Sequence, residues 1–345
     1  MKNNYYLSAL RRIIKTKKLD AIVVYVNSYD DRYMKALADT YCVLQNYLLI
    51  TSKSVYISEA RYLVPHLKSR TRTAILGAEG ENQTIEEIIP KIKPNSRVGF
   101  VGSCKYSDLI RLGANEYIDI NDEAEKIITY KSDDYILKLY GYAMKLAKLM
   151  DSMNVTKFKK QIDTARELTK LIIDAGCSLS FPVCITSGND LKKSTAMLAQ
   201  DKVIQPKDIV CIDMGLKKDI FTTDRTRMYF PNSPDAELLY KHIKKIHFYI
   251  ISHLINSRRT FRDVINEYKL RLSVHPQIKK VEEEDFGHGI GFSLHEQPIL
   301  EQANRKIGTN IVFTIEPSFD TVFGKMRIED IIAITSTGKV INLTK

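Results

Sequence analysis

Residues 208–230 read DIVCIDMGLKKDIFTTDRTRMYF and place two aspartates in adjoining runs of strand-forming residues. A two-residue turn at Lys218-Asp219 would join the runs and set Asp213 directly opposite Asp224, with both side chains on one face of the hairpin. Like charges at that separation repel each other, and the apolar neighbours indicate that the pair is buried. A buried carboxylate pair persists when it shares a proton or binds a cation, so the stretch predicts one of these two states.

A second hairpin of the same kind is predicted for residues 313–334, FTIEPSFDTVFGKMRIEDIIAI. A turn centred at Val322-Phe323 would set Glu316 opposite Glu329. Pro317 has no N–H to donate, so we expect this strand to lie at a sheet edge or to carry a bulge there. One such pair is compatible with surface acids on a β-ladder, but two pairs among apolar residues favour a shared binding site.

The motif FGHGIGFSLHEQP, residues 286–298, brings two histidines into the same region of the chain. Gly287 and Gly289 flank His288, and residues without a side chain let the backbone approach a ligand closely. His295 follows seven residues later. The segment is not the zincin motif H-E-x-x-H, because a proline stands where the helix would continue and no second histidine follows.

Four carboxylates and one imidazole form a hard, oxygen-rich set of candidate ligands. Such a set suits a pair of Mn, Co, Fe or Zn ions about 3.5–4 Å apart, bridged by carboxylates and a hydroxide. A single structural zinc ion would favour cysteines in a closed tetrahedron instead. The sequence therefore predicts two divalent metal ions.

Two domains are expected from the chain length and from a change in sequence pattern. Apolar β-branched runs at 21–26 and 97–102 alternate with helical patterns in the first part of the chain. Residues 123–175 have apolar residues at helical spacing, and strand patterns with glycines and acids recur from residue 177 onward. We place the boundary near residue 130, which gives domains 1–130 and 131–345.

The composition of the 345-residue chain is that of an ordinary globular protein, with 44% hydrophobic and 27% charged residues. No apolar run reaches the roughly 18 residues of a membrane-spanning helix, and residues 1–18 lack the apolar stretch of a signal peptide. The cysteines form no C-x-x-C pair, which is typical of free thiols in a reducing compartment; they are Cys42, Cys104, Cys177, Cys184 and Cys211. We therefore expect a cytoplasmic protein without a membrane segment.

The net charge of +11 raises the question of nucleic-acid binding. The surplus is spread along the chain, and the densest basic run, residues 11–18, lies in a segment with apolar residues at helical spacing. A solvated helix face explains that run, and no zinc-finger spacing or RNP-like signature supports a nucleic-acid site. Nucleic acid is therefore not an expected partner.

The motifs IDMG, TTDRTR, GHGIGFSLHEQP, FTIEPS and MRIED occur in the order of the creatinase–aminopeptidase family and close to its spacing. The chain resembles this family, whose fold is called pita-bread and which includes methionine aminopeptidase, prolidase and aminopeptidase P. It looks most like Xaa-Pro dipeptidase and aminopeptidase P. The resemblance covers about residues 130–345 and implies an α+β pita-bread catalytic domain. Residues 1–130 resemble the smaller, creatinase-type α/β N-terminal domain of prolidases and aminopeptidases P.

The resemblance implies a ligand set for two divalent metals. Asp213 would chelate one metal, and Asp224 and Glu329 would bridge both. His288 and Glu316 would each complete the coordination of one metal.

The resemblance also implies three catalytic roles. Glu316 would act as general base toward the bridging water. His295 would hydrogen-bond the substrate carbonyl or the tetrahedral intermediate. Arg327, two residues before Glu329, would steady the bridging site or the substrate carboxylate.

The chain departs from the prolidase pattern at two positions. Relatives usually carry a histidine seven residues after the glycine that corresponds to Gly188, where this chain has Thr195. They often carry another histidine four residues before the metal-binding one, where this chain has Glu284. Both positions line the substrate side in the family, so the differences bear on the preference for proline.

The first hypothesis for function is metal-dependent hydrolysis of Xaa–Pro bonds in short peptides by a hydroxide that bridges two metals. The second is a hydrolase or lyase of the same fold that acts on a different small substrate. The third is a non-catalytic member that binds nucleic acid or a protein partner, although such members have usually lost metal ligands. The resemblance to prolidases also implies a homodimer.

Overall fold

A computed structural model describes residues 4–26, 31–38, 46–60, 74–78, 84–103, 106–114, 116–153, 159–253, 255, 259–302, 304 and 306–345. The chain divides into two compact units, Met1–Tyr130 and Lys131–Lys345. The identity of the first as a creatinase-type domain and of the second as a dinuclear-metal catalytic domain stays a prediction.

Within its described residues, the first unit combines a six-stranded mixed sheet with short helices. Its elements are α1 (Asn4–Thr16), β1 (Ala21–Val26), α2 (Arg32–Ala38), β2 (Asn46–Thr51), β3 (Val55–Ala60), β4 (Ala74–Ala78), a 3-10 turn (Ile89–Lys91), β5 (Arg97–Val101), α3 (Tyr106–Leu112), β6 (Glu116–Asp119) and α4 (Asn121–Thr129). The strand order is β4-β3-β2-β1-β5-β6.

Strand β1 lies in the middle of this sheet, antiparallel to β2 and parallel to β5. All six of its residues are buried, as expected for an apolar β-branched run with both faces covered. Helix α1 buries Leu10 and Ile14, whereas Arg12 and Lys15 are exposed. These two basic residues of the run 11–18 therefore lie on a solvated helix face, as expected.

The second unit begins with two long helices and continues with antiparallel sheets and two further helices. Its elements are α5 (Asp133–Asp151), α6 (Gln161–Asp174), β7 (Ser178–Leu179), β8 (Cys184–Ser187), a 3-10 turn (Gly188–Lys192), β9 (Val210–Met214), β10 (Leu216–Lys218), β11 (Phe221–Thr222), β12 (Arg225–Tyr229), α7 (Pro234–His253), α8 (Phe261–Leu272), β13 (Ile278–Val281), β14 (His288–Gly289), β15 (Glu296–Ile299), a 3-10 turn (Leu300–Gln302), β16 (Ile311–Ile315), β17 (Ser318–Thr321), β18 (Gly324–Arg327), β19 (Asp330–Ile334) and β20 (Val340–Asn342).

Four sheets are present in the described part of this unit. One has five strands in the order β15-β14-β16-β19-β20, and the others have the orders β12-β9-β8, β11-β10-β7 and β13-β17-β18. Helices and strands occupy separate stretches of chain, as in an α+β fold.

Two clusters of buried side chains hold the helices against the sheets. One includes Ile243 of α7, Tyr268 of α8 and Phe313 of β16. The other includes Leu146 of α5 and Ile212 of β9. The helices present one apolar face at three- and four-residue spacing, so burial of that face fixes them on the sheets.

The first predicted hairpin forms, but its expected register is wrong by two residues. The turn falls at Asp219-Ile220 rather than at Lys218-Asp219, and Asp213 pairs with Thr226 instead of Asp224. The turn aspartate adopts a positive φ of 52°, a conformation that aspartate tolerates better than most residues, and the isoleucine is buried. A shift of two positions keeps a side chain on the same face, so both aspartates still point to one site.

The second predicted hairpin has the expected register. Strand β16 pairs with β19 and β17 pairs with β18, all in the register set by a turn at Val322-Phe323. Pro317 interrupts the first arm, so each arm is divided between two sheets. Glu316 and Glu329 therefore lie opposite each other in the gap between the two paired segments.

The described cysteines are free thiols, with Cys177 and Cys211 buried and Cys184 half-buried. Cys42 and Cys104 lie outside the described residues. Within the described ranges, no helix combines the length and apolar content needed to cross a lipid bilayer.

Candidate metal centre

The predicted metal ligands come from five separate segments of the second unit and converge on one buried site. Each side chain stands in or beside a strand, and none is more than 9% exposed. The residues are Asp213 in β9, Asp224 just before β12, His288 in β14, Glu316 just after β16 and Glu329 just before β19. Strand ends from different sheets thus deliver the five side chains.

Three of the side chains, Asp224, His288 and Glu329, could hold one metal ion together, because one ligand atom from each lies within 4.8 Å of the other two. His288 Nε2 is 3.9 Å from Asp224 Oδ2 and 3.2 Å from Glu316 Oε1. Asp213 and Asp224 line the same cavity, and their charges act on each other. The structure therefore brings all five predicted ligands together.

Three carboxylate oxygens of the predicted ligands are buried without a hydrogen-bond donor in the described part of the protein. They are Oδ1 of Asp213, Oδ1 of Asp224 and Oε1 of Glu329. A buried acceptor without a partner costs about 1–3 kcal/mol. Cations at this position would satisfy all three oxygens, so the donor set fits divalent metals.

The pKa values of these carboxyl groups are raised because several of them are buried close together. Desolvation, with the added charge of Glu316, raises the pKa of Asp213 to about 6. Desolvation and neighbouring carboxylates raise the pKa of Asp224 and of Glu329 well above the usual range. In the absence of a cation, the site retains protons because several carboxylates cannot ionise together in a buried volume.

The backbone around His288 aims its imidazole at the carboxylates. Its Nδ1 lies 3.0 Å from the carbonyl oxygen of Gly289, which leaves Nε2 toward Glu316, and its backbone N–H donates to Thr314 Oγ1 at 3.0 Å. A Cβ atom on Gly289 would lie 2.1 Å from the carbonyl oxygen of Gln297, so only glycine fits there. An Nδ1–H donated to a carbonyl leaves Nε2 as a metal ligand.

Arg327 holds the orientation of Glu316. Its Nη1 lies 3.0 Å from Glu316 Oε2, and its Nε donates to Ser318 Oγ at 2.8 Å. Desolvation alone would raise the pKa of Glu316, but the hydrogen bond with His288 and the charge of Arg327 outweigh it and lower that pKa. Glu316 is therefore an ionised carboxylate at neutral pH.

The site opens into a cavity of about 400 Å³. His295 lines it, and its ring meets that of His288 edge-to-face at a centroid distance of 4.2 Å. Phe181 and Leu294 contribute apolar walls, and Asp285 adds a carboxylate outside the ligand set. The cavity thus combines a charged floor with apolar walls, as small-ligand sites do.

The sequence profile of metallopeptidase family M24 matches residues 138–336, more than half of the chain. The chain belongs to this family. The Xaa-Pro dipeptidase of Pyrococcus furiosus is 24% identical over 267 residues, which are 73% of this chain and 75% of that protein. The Xaa-Pro dipeptidase of Pyrococcus horikoshii is 24% identical over 314 residues, 85% of this chain and 84% of that protein. The crystal structure of the prolidase from Pyrococcus horikoshii OT3 aligns with a TM-score of 0.82 at 19% identity, over 99% of this chain and 98% of that one.

These similarities confirm the predicted family, the α+β pita-bread fold class and the enzyme class. The M24 chain is a metallopeptidase, and its family uses divalent metals.

Three hydroxyl groups that support the ligands were not predicted from the sequence. Thr226 Oγ1 donates to Glu329 Oε2 at 2.8 Å, and Thr314 Oγ1 donates to Glu316 Oε1 at 3.2 Å. Ser318 accepts from Arg327, as described above. Each hydroxyl lies two residues from a predicted ligand, and this same-face spacing on a strand is the signal that could have found them.

Each of the two departures from the prolidase pattern is adjacent in the chain to a residue that lines the cavity. Thr195 is buried and Glu284 is exposed. Their chain neighbours Ala196 and Asp285 line the cavity. The segments that carry both departures therefore reach the site.

The first prediction concerns the pH dependence of metal binding. A carboxyl group with a raised folded-state pKa stabilises the fold while it is protonated, and this contribution disappears as the pH rises from about 4 through about 6 for Asp213. Metal must displace these protons, so Mn²⁺ should raise Tm much more at pH 7.5 than at pH 5. At a Mn²⁺ concentration 100 times the dissociation constant, the free energy of unfolding should increase by about 2.7 kcal/mol. Thermal unfolding of chelated and Mn²⁺-loaded protein measures it.

Asp285→Asn is the matched control for this prediction, because it removes a cavity carboxylate outside the ligand set and should retain the effect. Asp213→Asn should weaken it. Equal Tm gains at both pH values would contradict the assignment of these carboxyls as ligands.

The second prediction concerns the glycine next to the metal-binding imidazole. Gly289→Ala should displace His288 and weaken metal binding at least about tenfold, because the new Cβ would overlap the Gln297 backbone. Gly308→Ala is the control, since a Cβ there meets nothing within 4 Å. Calorimetric titration with Mn²⁺ measures both, and unchanged affinity in Gly289→Ala would show that His288 does not bind metal.

Proposed function

We propose that this M24 peptidase hydrolyses the bond between an N-terminal residue and proline in short peptides. It does so with two divalent ions, Mn, Co, Fe or Zn, held by Asp213, Asp224, His288, Glu316 and Glu329. The observation that supports this most is the burial of these five side chains in one cluster, four of which line the cavity, with carboxylate oxygens that lack donors. The Xaa-Pro dipeptidases similar to this chain suggest the substrate class.

When bound, the metals supply Lewis acidity that acidifies water and polarises a carbonyl group. The protein supplies the proton acceptor, which we assign to Glu316. Its carboxylate is ionised, and Arg327 and Thr314 fix both of its oxygens. A fixed carboxylate at the cavity floor is suited to take a proton from an attacking water.

His295 is placed to contact the substrate rather than the metal cluster. It lines the cavity, and desolvation together with the neighbouring His288 lowers its pKa. A neutral imidazole can donate a hydrogen bond to the scissile carbonyl oxygen as negative charge develops there. Arg327, which lines the same cavity, also offers a cation to a substrate carboxylate.

A second candidate is a hydrolase or lyase of the same fold with a different small substrate. Thr195 and Glu284 favour it, because both lie in segments that reach the cavity and both replace histidines expected in prolidases. A non-catalytic role in binding nucleic acid or protein is disfavoured by the complete ligand set. The homodimer and the cytoplasmic location stay predictions.

The third prediction is the substrate range. Protein loaded with Mn²⁺ or Co²⁺ should cleave Xaa–Pro dipeptides and leave Xaa–Ala dipeptides intact, as followed by chromatography of the products. Asp224→Asn provides the blank, and an Xaa–Pro tripeptide distinguishes a dipeptidase from an aminopeptidase. Two bound metals without cleavage of any proline substrate would contradict the proposal and favour the second candidate.

The fourth prediction concerns the general base. Glu316→Gln should lower kcat by more than about 100-fold, because an amide cannot accept the proton. Glu301→Gln is the matched control, since Glu301 lines the same cavity outside the ligand set, and its kcat should change little. Metal content of both variants is measured alongside kcat. Near-normal turnover by Glu316→Gln would contradict the assignment of Glu316 as the general base.

A further inference from the structure

Lys131 and Glu296 form a fully buried ion pair outside the metal-ligand set. Lys131 Nζ lies 2.8 Å from Glu296 Oε2, and the two side chains are 1% and 2% exposed. Removal of one partner from such a pair costs about 3–5 kcal/mol, whereas an apolar pair of the same volume is often as stable. The presence of the pair is therefore not explained by stability alone.

The lysine is fixed on every side. Its backbone N–H donates to the carbonyl oxygen of Asn310, and the Asn310 amide donates back to its carbonyl at 3.0 Å. Its ammonium lies 4.6 Å from the ring centroid of Phe292. A Cβ on Gly291 would come within 2.7 Å of Lys131 Cε, so the glycine lets the loop pack directly on the lysine stem.

Glu296 connects this lysine to His295, the histidine proposed to contact the substrate. Its second oxygen, Oε1, accepts the backbone N–H of Ser293 at 2.6 Å and thereby closes the turn that carries His295. The backbone of Glu296 pairs with Gly289, the residue after His288. The side chain of Glu296 thus closes the turn, and its backbone joins the two ends of residues 289–296.

We propose that Lys131 is a positioning residue for His295: its buried ammonium fixes Glu296, and Glu296 fixes the loop that presents His295 to the cavity. Lys131 is not among the described residues that line the cavity. Its loss leaves a buried carboxyl group without its counter-charge, and the turn closed by Ser293 loosens. The contact of the His295 ring with His288 at 4.2 Å is then no longer enforced.

The inference rests on the proposed function for its kinetic test, so a second test independent of activity is needed. Imidazole resonances of the histidines, with His295 assigned through His295→Ala, report ring position by NMR. Lys131→Met should shift or broaden the His295 resonance and leave those of His242 and His253 in place. Lys17→Met is the control, since it removes an ammonium paired with Glu123 in the first unit.

The kinetic test is a double-mutant cycle. Lys131→Met should lower kcat at least about tenfold with unchanged metal content. The same substitution in a His295→Ala background should have almost no further effect on kcat. A merely structural lysine would lower both backgrounds equally. If Lys131→Met does not fold, Glu296→Gln, which removes the charge and keeps the shape, takes its place in both tests.

An unmoved His295 resonance, or effects on kcat that multiply in the double variant, would overturn the inference. A selective shift of that resonance in a protein that cleaves no Xaa–Pro peptide would support the positioning role and reject the proposed substrate. The two failures are therefore distinguishable.

Discussion

The second unit is organised around a concentration of buried negative charge. Asp213, Asp224, Glu316 and Glu329 lie within one site, and all are shielded from water. Such an arrangement is unfavourable without positive charge, because desolvation and mutual repulsion both oppose ionisation. The raised pKa values and the carboxylate oxygens without donors are two consequences of this one constraint. Bound divalent cations would compensate this negative charge, and the M24 family, to which the chain belongs, uses divalent metals.

The strands of the second unit hold these charged side chains close together. Ligands at strand ends are held by backbone pairing on either side, so they cannot move apart to relieve repulsion. Thr226 illustrates this support, because its hydroxyl and its carbonyl oxygen both contact Glu329. Among the described residues that line the cavity, Arg327 is the one arginine or lysine, and its direct contact is with Glu316. Glu316 therefore stays ionised and can accept a proton. The pKa values of the other three carboxyl groups in the cluster are raised.

Local sequence signals predicted much of this arrangement. The apolar run 21–26 forms β1 with the same bounds, and the second hairpin keeps its expected register because its turn position sets every pair. The first hairpin differed because register depended on which residue accepted a positive φ, and Asp219 did so. The pair of Lys131 with Glu296 spans 165 residues, and neither residue stands in a pattern that indicates a partner. Contacts made by tertiary packing between distant segments leave no periodic trace in the chain.

We propose that the five side chains hold two metal ions close together. Titration of metal-free protein with Mn²⁺, followed by electron paramagnetic resonance, tests it most directly. We expect uptake of two equivalents per chain and a spin-coupled spectrum, as for ions about 3.5–4 Å apart. Uptake of one equivalent with an isolated six-line spectrum, or no uptake, would contradict it.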